Sequence, residues 1–170
     1  VAGQTMIPDN NQKYFVEKII YLPSYQVNDS KESPPEVFFT RQDLGLPEKG
    51  FVFCCFNNTY KITPTTFDSW ARILKCVDKS ILLIIVDNKS AKENLTKEIT
   101  LRGVKPERLI FGERLSRPEY LARYRVADLF LDTSPYNAGT TASDALRMGL
   151  PVLTLKGSAY PSRMAASIVS

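Results

Sequence analysis

From Phe51 onward the chain alternates short, uninterrupted apolar runs with segments of helical periodicity, and few folds satisfy that alternation. A strand that is apolar on both faces must be covered on both faces, so the runs belong to a parallel sheet enclosed by the helices between them. The runs are Phe51–Phe56, Ile81–Val86, Arg108–Gly112, Leu129–Asp132 and Pro151–Leu155. The first helix starts at Pro64 with Thr63 as its cap and buries a stripe of Phe67, Trp70, Ala71 and Leu74, which makes Trp70 a core residue. The second opens on a Ser90–Glu93 capping box, runs to about Arg102 and is closed by Gly103, with Lys89, Lys92 and Lys97 on its solvated face. Further helices are expected over Pro118–Tyr124, over Thr140–Met148 with Gly149 ending it, and from about Pro161 onward. The predicted fold class is therefore α/β, a Rossmann-like parallel sheet with helices on both faces.

The first fifty residues differ in character. Glu17–Leu22 reads as one strand and Arg41–Leu46 as a short helical turn, but Ser33-Pro34-Pro35 and Gly45–Gly50 are turn-rich and apolar positions are too few for a separate core. Residues 1–50 are expected to form a linker, and residues 51–170 the lobe. A chain of 170 residues that is 44% apolar suffices for one sizeable core. It begins with Val1 and stops in a helical pattern at Ser170, as expected of a piece of a longer protein.

Charge and cysteine usage exclude several classes. The net charge is +4, with Lys and Arg interspersed among 18 acids rather than gathered in a basic stripe, so nucleic acid is not an expected partner. The excess suits a phosphate-bearing ligand. Cys54 and Cys55 are neighbours in a strand and point to opposite faces, and Cys76 makes the count odd, so a reducing cytoplasmic setting is expected. No apolar run is long enough to span a bilayer, and no membrane partner is expected. Histidine is absent altogether, and no cysteine or acid cluster has ligand spacing, so no metal site is predicted.

The segment Asp132–Leu146 reads as strand end, tight loop and hydroxyl-rich helix start. Free backbone N–H groups and the positive end of the helix dipole at Gly139, Thr140 and Thr141 suit a phosphate. Asp144, one turn beyond Thr140 on the same face, suits ribose hydroxyls. A helix capped by Thr140 with Asp144 on a solvated face accounts equally well for the local pattern. After the first strand, Lys61 can set a positive charge on a diphosphate and Asn58 can donate an amide hydrogen bond, or Lys61 is a solvated loop lysine. After the third strand, Tyr120 can stack on a base with Arg123 beside it, or both belong to a helix face packed on its neighbour.

The segments Phe53–Pro64, Ala127–Thr133, Asn137–Leu146 and Gly149–Thr154, in this order and spacing, resemble the protein O-GlcNAc transferase family in its bacterial, SPINDLY-like, TPR-containing branch. The likeness extends to Glu17–Pro23 and Tyr25–Asp29, which resemble the crossing from the first catalytic lobe to the second. It implies the second lobe of a GT-B glycosyltransferase, truncated at its C-terminus, with residues 1–50 as the end of the first lobe and linker. It further implies a UDP-sugar, UDP-GlcNAc above all, as donor substrate with no separate cofactor, and transfer to Ser or Thr of a protein acceptor that the TPR region recruits. By the same resemblance Lys61 neutralises the departing diphosphate and Asn58 contacts it. Thr140 and Thr141 bind the phosphates beside Gly139, and Asp144 binds the ribose. Arg123, Arg117 and Tyr120 surround the uridine. Tyr120 stands where the family places a histidine, as does Gly139 for some members, and the turn Leu22–Tyr25 is one residue short. The isolated piece, lacking the first lobe, is expected to be inactive. A non-catalytic nucleotide-sugar binding module and another GT-B enzyme such as an epimerase stand as alternatives, because fold does not fix function.

Overall fold

The computed structural model describes residues 1–22, 29 and 31–170. The turn at Leu22–Tyr25 beyond Leu22, and Tyr25–Asp29 apart from Asp29, lie outside the described residues. The centre is a five-stranded sheet of β1 (Val52–Cys55), β2 (Ile81–Ile85), β3 (Leu109–Gly112), β4 (Leu129–Leu131) and β5 (Val152–Leu153), in the order β3-β2-β1-β4-β5. All pairings are parallel, with Cys54 of the central strand facing Leu83 on one side and Phe130 on the other. The connecting helices are α1 (Pro64–Cys76), α2 (Lys89–Leu101), α3 (Arg117–Arg123) and α4 (Thr140–Arg147), and α5 (Met164–Val169) follows β5.

From β1 the chain steps outward to β2 and β3, then crosses to the other side of β1 for β4 and β5. Right-handed crossovers therefore place α1 and α2 on one face of the sheet and α3 and α4 on the other. The reversal lies between β1 and β4, whose carboxyl ends flank the crevice where open parallel sheets take their ligands.

The apolar runs are buried as a doubly covered sheet requires: Val52, Cys54, Leu82, Ile84 and Phe130 are inaccessible, and Phe67, Trp70, Ala71 and Leu74 pack α1 against them. Thr63 caps α1 by accepting the Thr66 N–H at 3.2 Å. Other local expectations need correction. The cap of α2 is Asn88, whose carboxamide oxygen takes the Ala91 N–H at 2.7 Å, and Ser90 lies within the first turn. Gly139, not Thr140, occupies the cap of α4. The fifth strand shrinks to Val152–Leu153, and the last helix begins only at Met164, after a 3₁₀ turn over Tyr160–Ser162. Glu17–Leu22 forms no strand, only a single parallel bridge between Tyr21 and Ala2. The N-terminal apolar residues do gather, with Ala2, Met6 and Ile7 packed by Phe15, Ile19 and Tyr21, but the cluster is completed by Met164 of α5.

Arg41 fastens the leading segment to the sheet. Its guanidinium donates to the carbonyls of Val126 (3.1 Å) and Gly50 (2.9 Å) and to the Asp128 carboxylate (2.7 Å), and the same carboxylate oxygen accepts the Val52 N–H at 2.7 Å. Gly50 has φ +111°, and a Cβ there would fall 2.3 Å from the Lys79 carbonyl oxygen, so the approach into β1 requires glycine. Asp128→Ala removes the acceptor of a buried N–H and should cost about 1–3 kcal/mol in urea denaturation. Lys89→Ala, at an exposed i,i+4 pair with Glu93, should change stability by less than about 0.5 kcal/mol in the same measurement.

Candidate functional site

Three loops meet at the carboxyl edge of the sheet, and buried polar side chains join them. The loop after β4 folds around Asp132, which is nearly inaccessible. Its Oδ1 accepts the N–H groups of Thr133 and Ala138, both at 2.7 Å, and the Asn57 amide at 3.2 Å, while Oδ2 accepts the Thr154 hydroxyl at 2.7 Å. Asn57, at the end of β1, also donates to Thr133 Oγ1 at 2.8 Å and receives the Thr141 hydroxyl on its Oδ1. Asn57 thus links β1, the β4 loop and the first turn of α4. Asn137 holds the far end of that loop by donating to the Thr133 carbonyl at 2.8 Å. Burial pushes the Asp132 carboxyl above the usual range, and the hydrogen bonds from Thr154, Ala138, Thr133 and Asn57 pull it part of the way back.

Lys61 closes a 3₁₀ turn over Thr59–Lys61 beside this loop. Its ammonium donates to the Asn137 carbonyl at 3.1 Å and lies 4.0 Å from the Tyr136 ring centroid. Lys61 is therefore an anchored cation at the crevice rather than a freely solvated one. Asn58 is exposed on the same turn. Gly139 caps α4 with its would-be Cβ position 3.3 Å from the Met164 side chain; Thr140 is exposed in the first turn and Thr141 is half-buried.

Asp144 is not on a solvated face. It is inaccessible, and its two oxygens accept Arg117 Nη1 and Nη2, each at 2.8 Å. These bonds, with others to Glu32, raise the already high basicity of Arg117. Tyr120 packs against Phe56 and, edge-on, against Tyr124, between the guanidinium groups of Arg117 at 5.6 Å and Arg123 at 5.9 Å. Its hydroxyl pairs with that of Tyr124, which in turn donates to the Thr141 carbonyl at 3.1 Å. Arg123 is buried over the Phe56 ring, donates to the Glu113 carbonyl at 2.7 Å, and leaves Nε and Nη2 without partners. Burial lowers its proton affinity.

The structure thus brings Lys61, Thr140, Thr141, Asp144, Arg117 and Tyr120 to one edge, with Asn58 and Gly139 on the same loops and Arg123 beneath. Sequence reasoning assigned no role to Asn57, Asp132, Asn137 or Glu32. A polar residue immediately closing each of two doubly buried strands, Asn57 after β1 and Asp132 after β4, was the available signal. Among the described residues no group of three Cys, Asp or Glu could hold a metal ion, and no helix is long and apolar enough to cross a membrane.

The buried carboxylate makes a testable contribution to stability. Because the folded protein holds the Asp132 proton more tightly than the unfolded chain does, this contribution to stability falls as pH rises from the ordinary value of 3.8 through the raised one. The margin of the wild type over Asp132→Asn in urea denaturation should therefore shrink as pH climbs through that window and level off above it. Asp132→Ala, which strands the Ala138 N–H and the Asn57 amide, should cost about 1–3 kcal/mol at neutral pH.

Comparison with known proteins places this geometry in a family. The profile of Glycosyl transferase family 41 matches residues 6–170. The chain is 34% identical over 174 residues to the probable UDP-N-acetylglucosamine–peptide N-acetylglucosaminyltransferase SEC of Arabidopsis thaliana, covering 99% of this chain and 18% of the relative. It is 38% identical over 138 residues to the UDP-N-acetylglucosamine–peptide N-acetylglucosaminyltransferase of Caenorhabditis elegans, covering 81% of this chain and 12% of that protein. The structure of a lysine-to-methionine mutant of Thermobaculum terrenum O-GlcNAc transferase superposes with a TM-score of 0.84 at 30% identity, over 99% of this chain and 32% of that one. The chain spans less than a third of the length of these proteins, and over that span its sequence and its fold agree in the conclusion that it belongs to glycosyl transferase family 41.

Proposed function

We propose that the chain is the nucleotide-binding lobe of a UDP-sugar-dependent protein glycosyltransferase, with UDP-GlcNAc as donor and Ser or Thr of a protein as acceptor. The observation that carries this reading is the meeting of an anchored cation, Lys61, with the α4 N-terminus and buried Asp144 at the switch point of the sheet, in a chain 38% identical to a peptide N-acetylglucosaminyltransferase. Residues 1–50 then belong to the end of the first catalytic lobe and its linker, and residues 51–170 to the donor lobe. The acceptor reaches the site through the first lobe and a TPR region, in the cytoplasm.

In this reading the diphosphate lies against the N–H groups and hydroxyls of Thr140 and Thr141 at the Gly139 cap, where the helix dipole favours negative charge. Asp144 accepts the ribose hydroxyls. Arg117, Tyr120 and the buried Arg123 form the wall beside the base, and Asn58 offers an amide to the diphosphate. The acceptor oxygen attacks the anomeric carbon with inversion as the bond from that carbon to the diphosphate oxygen breaks, so negative charge grows on the leaving group. Lys61 stabilises that charge. The acceptor's proton leaves to a group of the first lobe or to the donor's own phosphate.

Titration of the full-length protein with UDP, UDP-GlcNAc, GDP and ADP should show preference for the uridine compounds, and equal affinity for all would overturn the reading. Asp144→Ala should weaken UDP by about 1–3 kcal/mol. Lys61→Met should lower kcat on the order of a hundredfold or more with little change in donor affinity, because the charge it meets grows in the transition state. Full-length Lys61→Met that transfers sugar at near-normal turnover would remove the lysine from catalysis, whereas a full-length wild type that binds the uridine compounds and transfers no sugar would identify the lobe as a binding module.

A further inference from the structure

Tyr136 stands in the loop after β4 as a large aromatic side chain with no core to fill. It is 46% exposed and packs into neither hydrophobic cluster, yet its ring face carries the Lys61 ammonium 4.0 Å from the centroid. Tyr60, the residue before that lysine, meets the same ring edge-on at 6.3 Å. The backbone beneath the ring is fixed as well. The Tyr136 carbonyl accepts the Thr133 hydroxyl at 2.7 Å, and Thr133 Oγ1 accepts the Asn57 amide at 2.8 Å. The ring therefore has a set place at the mouth of the crevice, with its face turned to the lysine.

A lysine carries a point charge on a flexible four-carbon stem, so one hydrogen bond to the Asn137 carbonyl locates it only loosely. A cation that stabilises a developing anion counts in turnover only for the fraction of time it occupies the productive position. The two holders of Lys61 divide that task. The carbonyl engages one N–H, and an arriving phosphate oxygen competes for that bond. The ring attracts the cation as a whole, through its quadrupole rather than through a chosen N–H, and the attraction persists to about 6 Å from the centroid. The ammonium can thus turn from the carbonyl to an anion while the ring stays beneath it. Because the ring is neutral, the lysine meets that anion with its full charge, which a carboxylate holder would have offset.

We propose that Tyr136 is a positioning residue for Lys61: its ring holds the ammonium at the place where charge grows on the departing diphosphate. The inference rests on the reading of Lys61 as the group that stabilises that charge. The ring face and not the hydroxyl makes the contact, so phenylalanine can serve at this position and an aliphatic side chain cannot.

Steady-state transfer from UDP-GlcNAc to a Ser/Thr peptide by the full-length protein, with UDP titrations of the same variants, tests this role. Tyr136→Leu should lower kcat roughly three- to tenfold, with donor KM and UDP affinity within about twofold of the wild type, and Tyr136→Phe should keep most of the turnover. In a Lys61→Met background, where no ammonium is left to hold, Tyr136→Leu should add nothing. Undiminished turnover in Tyr136→Leu, an equal loss in Tyr136→Phe, loss of UDP binding, or a fully additive loss on top of Lys61→Met would overturn the inference, the last by making the ring a contact of the sugar or the acceptor. Lys61→Met at wild-type turnover, or a wild type that transfers no sugar, would instead overturn the reading of Lys61 itself and this inference with it.

Discussion

The carboxylate of Asp132 is the point on which both halves of the edge depend. It closes β4, takes two backbone N–H groups from the loop that follows, and through the Asn57 amide reaches the end of β1. A carboxylate this buried is costly unless nearly every acceptor site is used, and four donors converge on it here. The same bonds that offset its desolvation dictate the path of residues 133–138, so the loop shape follows from satisfying one charge. The α4 N-terminus inherits its place from that loop, since Thr141 is tied back to Asn57.

On the α3 side the two arginines illustrate how environment divides one chemistry into two. Arg117 is paired with carboxylates, which raise its affinity for the proton, whereas Arg123 is desolvated against Phe56 with one carbonyl acceptor, and burial lowers it. Both remain cations at any ordinary pH. The first is held by formal charge and is sensitive to whatever supplies that charge; the second is held by packing, with the ring face and the Glu113 carbonyl in place of a counterion. Tyr120 lies between them, its hydroxyl turned to Tyr124 rather than to solvent. The aromatic cluster therefore behaves as a rigid wall, with α3 joined to α4 through the Tyr124 bond to the Thr141 carbonyl.

The sheet was legible because doubly buried strands are written as continuous apolar runs, a local pattern that tertiary structure has little freedom to override. The Thr63-Pro64 start of α1 was legible for the same reason: cap and first turn are adjacent in sequence. Caps chosen between near neighbours were not. Asn88 displaced Ser90, and Gly139 displaced Thr140, because each of these residues is an acceptable cap and the loop before the helix decides. Glu17–Leu22 has strand-like composition but only Ala2 beside it, and two hydrogen bonds do not make a ladder. The candidate site divides likewise. The residues proposed to face the nucleotide carry chemistry that shows in sequence, as at Lys61, Thr140 and Asp144. The residues that brace them act at long range: Asn57 reaches Asp132 and Thr133 across 75 and 76 positions of chain and Glu32 reaches Arg117 across 85, and no local pattern encodes such a partner.

What holds Lys61 explains why its charge remains useful. Its partners are a carbonyl and the face of Tyr136, not a carboxylate, so the ammonium is located without being neutralised. A carbonyl and a ring face solvate the ammonium without supplying a counter-charge, so an arriving phosphate, which brings a full opposite charge, can draw the ammonium away from its resting place. The carbonyl belongs to Asn137, whose side chain is fixed on the Thr133 carbonyl, and Thr133 in turn donates its N–H to Asp132. The position of the cation on the β1 loop is therefore set from the β4 loop, across the switch point. In the proposed reading a nucleotide entering there meets a lysine and a helix N-terminus tied to the same loop, so much of the ordering that would otherwise oppose binding has been completed by folding.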